Sequence, residues 1–158
     1  MKLKMISEPK VKMFHELKLV GYRVLCAGEK YADEIPQASI KLSTRLQEIK
    51  NVKNREIQYG VFIVDAKNER EEGYWLMVEV EHFEDIPEEM VTLVIPSQKY
   101  AAAKYEGPNK GIFEAYEELH NWSAEQGYKR LKEKWHVELL ETWEDPNNLV
   151  VELLDTIE

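Results

Sequence analysis

Trp75-Leu76-Met77-Val78-Glu79-Val80 and Val137-Glu138-Leu139-Leu140 are two apolar, strand-like runs, each interrupted by one glutamate. A carboxylate on a half-buried strand is costly unless something pairs with it. Outward from these runs the chain tells the same story twice. Ahead of the first, residues 11–27 read as a strand, bulged or broken near Gly21. Pro36 then opens a helix, with Ala38, Leu42, Leu46 and Ile49 at helical spacing and an end near Asn51. Residues 57–64 form a strand, 65–73 a charged loop, and 74–83 the return strand.

After the acidic connector Glu84-Asp85-Ile86-Pro87-Glu88-Glu89 the pattern restarts. Residues 90–95 and 100–105 are strand-like, interrupted at Pro96-Ser97. Gly107-Pro108-Asn109 turns into a helix whose face carries Ile112, Ala115, Leu119 and Trp122, with Tyr116 beside them. Gly127 stops that helix. Residues 136–143 and 149–157 make a hairpin around the turn Asp145-Pro146-Asn147-Asn148.

The expectation is one α+β domain over residues 1–158, built from a duplicated strand-helix-strand-strand repeat. Repeat one takes about 8–87 and repeat two about 88–158. The antiparallel sheet carries both helices on one face, with a ligand groove between the repeats. The copies share order and spacing rather than sequence identity, so chance repetition in an α+β fold stays open. Along the first run, Leu76, Val78 and Val80 face one way and Trp75, Met77 and Glu79 the other. Both sides are apolar, more so than an exposed sheet face. That points to a groove lined by Trp, Met and carboxylate.

Composition bounds the function. The chain has 158 residues, enough for a sizeable core, with 44% hydrophobic and 32% charged residues. A net charge of -9 argues against a nucleic-acid surface, which needs clustered Lys and Arg. From Trp135 onward there are seven acids and no Lys or Arg. They read as a solvated strand edge or as a field that draws in cations. Cys26 is the only cysteine, in an apolar strand and expected buried. It excludes an internal disulfide and a four-Cys metal site and fits a reducing, cytoplasmic setting. Met1-Lys2-Leu3-Lys4-Met5 has no apolar core behind it, so no signal peptide is expected, and no apolar run is long enough for a bilayer.

His15, His82, His120 and His136 lack metal-ligand spacing, Ser97 lacks a nucleophile-elbow context, and the glycines make no phosphate loop. No metal and no cofactor are expected. The candidate site residues are Glu138, Glu79, Trp75, Trp122, Tyr59, Tyr100 and Met77. Each has a plainer reading: a core carboxylate satisfied by a hydroxyl or amide, or an aromatic or Met that packs.

Several blocks together resemble a known family. Ile57-Gln58-Tyr59-Gly60-Val61, residues 74–89, Ile95-Pro96, Lys99-Tyr100-Ala101, Glu106-Gly107-Pro108, Trp122, Gly127-Tyr128 and Val137-Glu138-Leu139-Leu140 fall in the order seen in GyrI-like (gyrase-inhibitor-like) small-molecule-binding domains. The resemblance covers nearly the whole chain. It implies the duplicated fold with a groove between repeats, and a stand-alone relative of the effector-binding part of multidrug-sensing transcription regulators. It places Glu138 where a glutamate faces organic cations. Leu140 stands where many members carry an aromatic residue.

The leading expectation is a small-molecule binder, a drug sink or sensor, taking aromatic or cationic ligands. Some stand-alone relatives are hydrolases of cyclopropanoid electrophiles, and there Glu138 and Glu79 would be the catalytic acids. A third reading, suggested by the family's name, is a protein-interaction inhibitor of a topoisomerase-like target. No direct nucleic-acid or membrane partner is expected, and no protein partner can be named.

Overall fold

The computed structural model describes residues 8–142 and 147–158. The N-terminal Met1 to Met5, Trp143 and the first half of the turn expected at 145–148 lie outside them. Eight strands and two helices follow in order: β1 (Lys10–Phe14), β2 (Leu17–Val24), α1 (Tyr31–Thr44), β3 (Gln58–Ile63), β4 (Tyr74–Glu79), β5 (Val91–Ile95), β6 (Gln98–Gly107), α2 (Ile112–Glu125), β7 (Trp135–Thr142) and β8 (Leu149–Ile157).

The strands form one antiparallel sheet in the order β1-β6-β8-β7-β3-β4-β2-β5. Exchanging β1 with β5, β2 with β6, β3 with β7 and β4 with β8 returns the same order reversed. The sheet therefore has a pseudo-two-fold axis between β3 and β7, as a duplicated unit would produce. The helices obey it: α1 lies over β2 and β4, α2 over β6 and β8. Both pack into one core cluster, with Leu42 from α1, Ala115 and Leu119 from α2, and Val20, Leu76, Val78, Leu140, Val151 and Leu153 from the sheet. The two helices thus share a face. The central strands β3 and β7 run between them.

Among the described residues no helix residue joins the cluster on the other sheet face, yet Leu19, Met77, Tyr100, Val137 and Leu154 there are fully buried. The connections explain this. Only His15 and Glu16 join β1 to β2, and only Pro96 and Ser97 join β5 to β6. Such a link spans about 10 Å. In a flat sheet β1 and β2 would lie six strand spacings apart, roughly 29 Å. The sheet must curl until its edges meet. The pairing confirms it: Phe14↔Gln98 and Leu17↔Ile95 belong to one register that runs on across both breaks. The curled sheet covers its own inner face.

Local readings shift accordingly. The first strand breaks at His15-Glu16, not at Gly21. Gly21 sits inside β2, where any Cβ would stand 2.2 Å from the Leu76 carbonyl oxygen. The helix starts at Tyr31, so Pro36 is inside it. The proline forfeits one ladder hydrogen bond, toward Ala32, without ending the helix. Cys26 falls just beyond β2 and is half-exposed rather than buried in a strand. The acid-rich β7 and β8 are no solvated edge. Both are internal strands, with Glu138, Glu152 and Asp155 buried; β1 and β5 are the edges.

Candidate functional site

The floor between the helices comes from alternate residues of the two central strands. Gly60 of β3 pairs with both Glu138 of β7 and Leu76 of β4, so all three point to the helix side. Phe62 and His136 are paired on the same side. Glu138 is buried, 8% exposed. The Tyr74 hydroxyl donates to its Oε1 at 2.6 Å and the Tyr116 hydroxyl to its Oε2 at 2.6 Å. Tyr74 comes from β4 and Tyr116 from α2, so the carboxylate ties a strand to a helix across the floor.

Gly60 makes this geometry possible. A Cβ there would lie 1.7 Å from the Tyr74 hydroxyl oxygen. The tyrosine crosses the missing side chain to reach Glu138. Phe62 stacks on Tyr74 at 5.9 Å and on His136 at 5.6 Å. Tyr116 lies against His120 at 5.8 Å. The result is a carboxylate framed by partly exposed aromatic rings.

The electrostatics follow from burial. Desolvation pushes the Glu138 carboxyl above the ordinary range, and the Tyr116 and Tyr74 hydroxyls and nearby His136 pull it back. Both tyrosines are driven well up, first by burial and then by the Glu138 charge. Among the described residues no Lys or Arg pairs with Glu138. Two neutral hydroxyls hydrogen-bond its oxygens, and among the described residues no cationic side chain touches it.

Next to it sits a second acid. Asp155 is 0% exposed. Arg130 grips it with Nε at 2.9 Å and a terminal nitrogen at 3.2 Å. His136 Nε2 stands 2.9 Å and His120 Nε2 3.5 Å from its Oδ1. Burial alone would raise this carboxyl; His120, His136 and Arg130 together hold it well below the ordinary aspartate range.

The remaining candidates are elsewhere. Trp75, Met77, Tyr59 and Tyr100 belong to the inner cluster of the curled sheet. Trp75 meets Trp135 edge to face, with Arg23 over its ring, and Tyr100 meets Phe14 edge to face. Glu79 is on that side too. It accepts from the Tyr59 hydroxyl at 3.0 Å, with Lys53 Nζ at 3.5 Å. The groove expected from Trp75, Met77 and Glu79 is filled by the sheet's own curl. The two glutamates lie on opposite faces and share no slot. Trp122 is on the helix side, where its ring packs on Tyr128 at 5.8 Å. Tyr74, Tyr116, Phe62 and Gly60 are the residues that sequence reasoning passed over. The signal was strand parity: Tyr74 lies two residues before Leu76, on the face that the helices cover.

The fold is a curled antiparallel sheet with two helices on one face and a buried acid on the floor between them. The chain belongs to the family described as the GyrI-like small molecule binding domain, whose model matches residues 7–154. No curated protein matches the chain. Among solved structures it is similar to SAV2435 bound to tetraphenylphosphonium, at 16% identity over 96% of this chain and 94% of that one, TM-score 0.71. It is also similar to the C-terminal domain of EcmrR, at 15% identity over 98% and 99%, TM-score 0.65. An integron cassette protein from the mobile metagenome of Vibrio cholerae matches at 14% identity over 99% and 97%, TM-score 0.55. At these identities the likeness is one of fold. Among the described residues no helix is long and apolar enough to cross a membrane.

Proposed function

We propose that the chain binds apolar, aromatic organic cations between α1 and α2, with Glu138 as the counter-charge. One observation carries the reading. Glu138 is buried, hydrogen-bonded on each oxygen by one neutral hydroxyl, and among the described residues has no cationic side chain in contact. Burying an unpaired carboxylate costs several kcal/mol, roughly 2–5 by the effect of breaking such pairs. An arriving cation offsets that cost. Because both tyrosine hydroxyls already fill hydrogen-bond sites on the carboxylate, the ligand is recognised by charge and apolar surface. Phe62, Tyr74 and Tyr116 supply ring faces and edges for it. That SAV2435 is known bound to tetraphenylphosphonium supports the same ligand class here.

A hydrolytic role would have to rest on Glu138 alone, since Glu79 is across the sheet and engaged by Tyr59 and Lys53. The test is calorimetry with tetraphenylphosphonium and with neutral triphenylphosphine oxide, and mass spectrometry of a cyclopropanoid electrophile after incubation. The expected result is tight binding of the cation, weak binding of the neutral compound and no added water in the electrophile. Equal affinity for cation and neutral compound would overturn the reading.

A further inference from the structure

We infer that His136 is a positioning residue which, held as a cation by Asp155, keeps the buried Glu138 ionised while the groove is empty. The inference deepens the binding reading above and rests on it for its purpose. It begins with the ring nitrogens. His136 Nδ1 lies 3.0 Å from the Lys134 carbonyl oxygen. A carbonyl only accepts, so Nδ1 carries a hydrogen. His136 Nε2 is buried, has no aligned hydrogen-bond partner, and stands 2.9 Å from the Asp155 carboxylate. An unprotonated Nε2 carries partial negative charge and would be repelled by a carboxylate oxygen at 2.9 Å. A hydrogen on Nε2 turns the contact into an ion pair. Both nitrogens are then protonated, and the ring is an imidazolium.

That form changes the charge balance of the cluster. Arg130 and His136 together bring two positive charges to the single negative charge of Asp155. One positive charge is left over, in a ring that shares a strand face with Glu138 two residues on. Residues so placed are roughly 7 Å apart along a strand. Around Glu138, β4 contributes the Tyr74 hydroxyl, α2 the Tyr116 hydroxyl, β7 His136 itself; Gly60 of β3 and Leu153 of β8, paired opposite, carry no charge. His136 is faced by Asp155, by the Phe62 ring and by Thr156 Oγ1 at 3.5 Å. His120 stands farther out, 3.5 Å from the same Asp155 oxygen and against Tyr116. The tyrosines stabilise the Glu138 carboxylate by hydrogen bonds, and His136 does so through space.

The experiment reads both ends of this chain by NMR without any ligand. Imidazole ¹⁵N shifts of the native protein at pH 7 should show both His136 nitrogens protonated. A singly protonated His136 would overturn the inference. Carboxyl ¹³C shifts then follow Glu138 through its titration in the native protein and in His136→Gln. The midpoint should move up by about one pH unit when the neighbouring charge is lost. Coincident curves would overturn it. A third arm measures tetraphenylphosphonium affinity against pH. In His136→Gln the acid limb should shift upward with the Glu138 midpoint, so affinity on that limb drops about tenfold, with affinity at high pH retained. Loss at every pH alike would mark a merely structural role and overturn the inference. If native protein fails to bind the cation while the Glu138 midpoint still moves, the binding reading falls and the electrostatic one stands.

Discussion

Glu138 and its two tyrosines form a unit in which charge and hydrogen bonding are handled by different partners. Replacing Glu138 by Gln keeps the shape and removes the charge. Tetraphenylphosphonium affinity should fall at least about thirtyfold, the lower end of what losing a buried charge partner costs. Triphenylphosphine oxide affinity should stay the same. Calorimetry on both ligands checks this; an unchanged cation affinity would remove Glu138 from the site. The tyrosines give a separate prediction. Tyr116→Phe withdraws one hydrogen bond from a buried carboxylate, worth about 1.5–3 kcal/mol when the acceptor is charged. Stability to urea should fall by that amount where Glu138 is ionised. The loss should shrink at acid pH, where the carboxyl is protonated. A loss independent of pH would mean that Tyr116 matters for packing alone.

At the scale of elements, two glycines show what strand patterns reveal and what they hide. Gly60 lies beneath the Tyr74 hydroxyl, and Gly21 lies against the Leu76 carbonyl. Gly60→Ala should push Tyr74 off Glu138 and weaken cation binding, while circular dichroism shows the sheet intact. Gly21→Ala meets backbone instead of a movable ring, so it should destabilise the whole protein by about 3 kcal/mol. A Gly60→Ala variant with native affinity would show that the Tyr74 contact is dispensable. The order of strands and helices was legible in the sequence because periodicity reports it. Alternation correctly separated Leu76, Val78 and Val80 from Trp75, Met77 and Glu79. It could not say which of two apolar faces stays open. That depends on where β1 and β5 end up, a matter of non-local pairing. Trp75 and Met77, more apolar than Tyr74 and Tyr116, are buried by the curl, while the two tyrosines lie on the helix side. Glu138 was legible because a lone acid in an apolar strand stands out wherever the sheet bends. The start of α1 was not legible, because Pro36 suits a first turn better than the second turn it occupies.

At the scale of the molecule, the two buried acids on the helix side make opposite contributions to stability as pH changes. Asp155 has its carboxyl held low by its imidazole and guanidinium neighbours against the effect of burial. Below the ordinary aspartate value, about 3.9, the unfolded chain binds a proton that the folded protein refuses. Stability from Asp155 is present above that pH and drains as pH falls. Glu138 has its carboxyl held high, chiefly by burial. Above the ordinary glutamate value, about 4.3, the folded protein keeps a proton that the unfolded chain has lost. Its contribution is therefore greatest in acid and drains as pH rises toward the folded-state value. Urea denaturation across pH should show both limbs. Glu138→Gln should flatten the decline on the alkaline side of 4.3 and leave the acid limb alone. Saturating tetraphenylphosphonium should flatten the same decline in the native protein, because the ligand stabilises the ionised carboxylate. If Glu138→Gln instead leaves the alkaline-side decline as steep as before, the buried carboxylate is not its source.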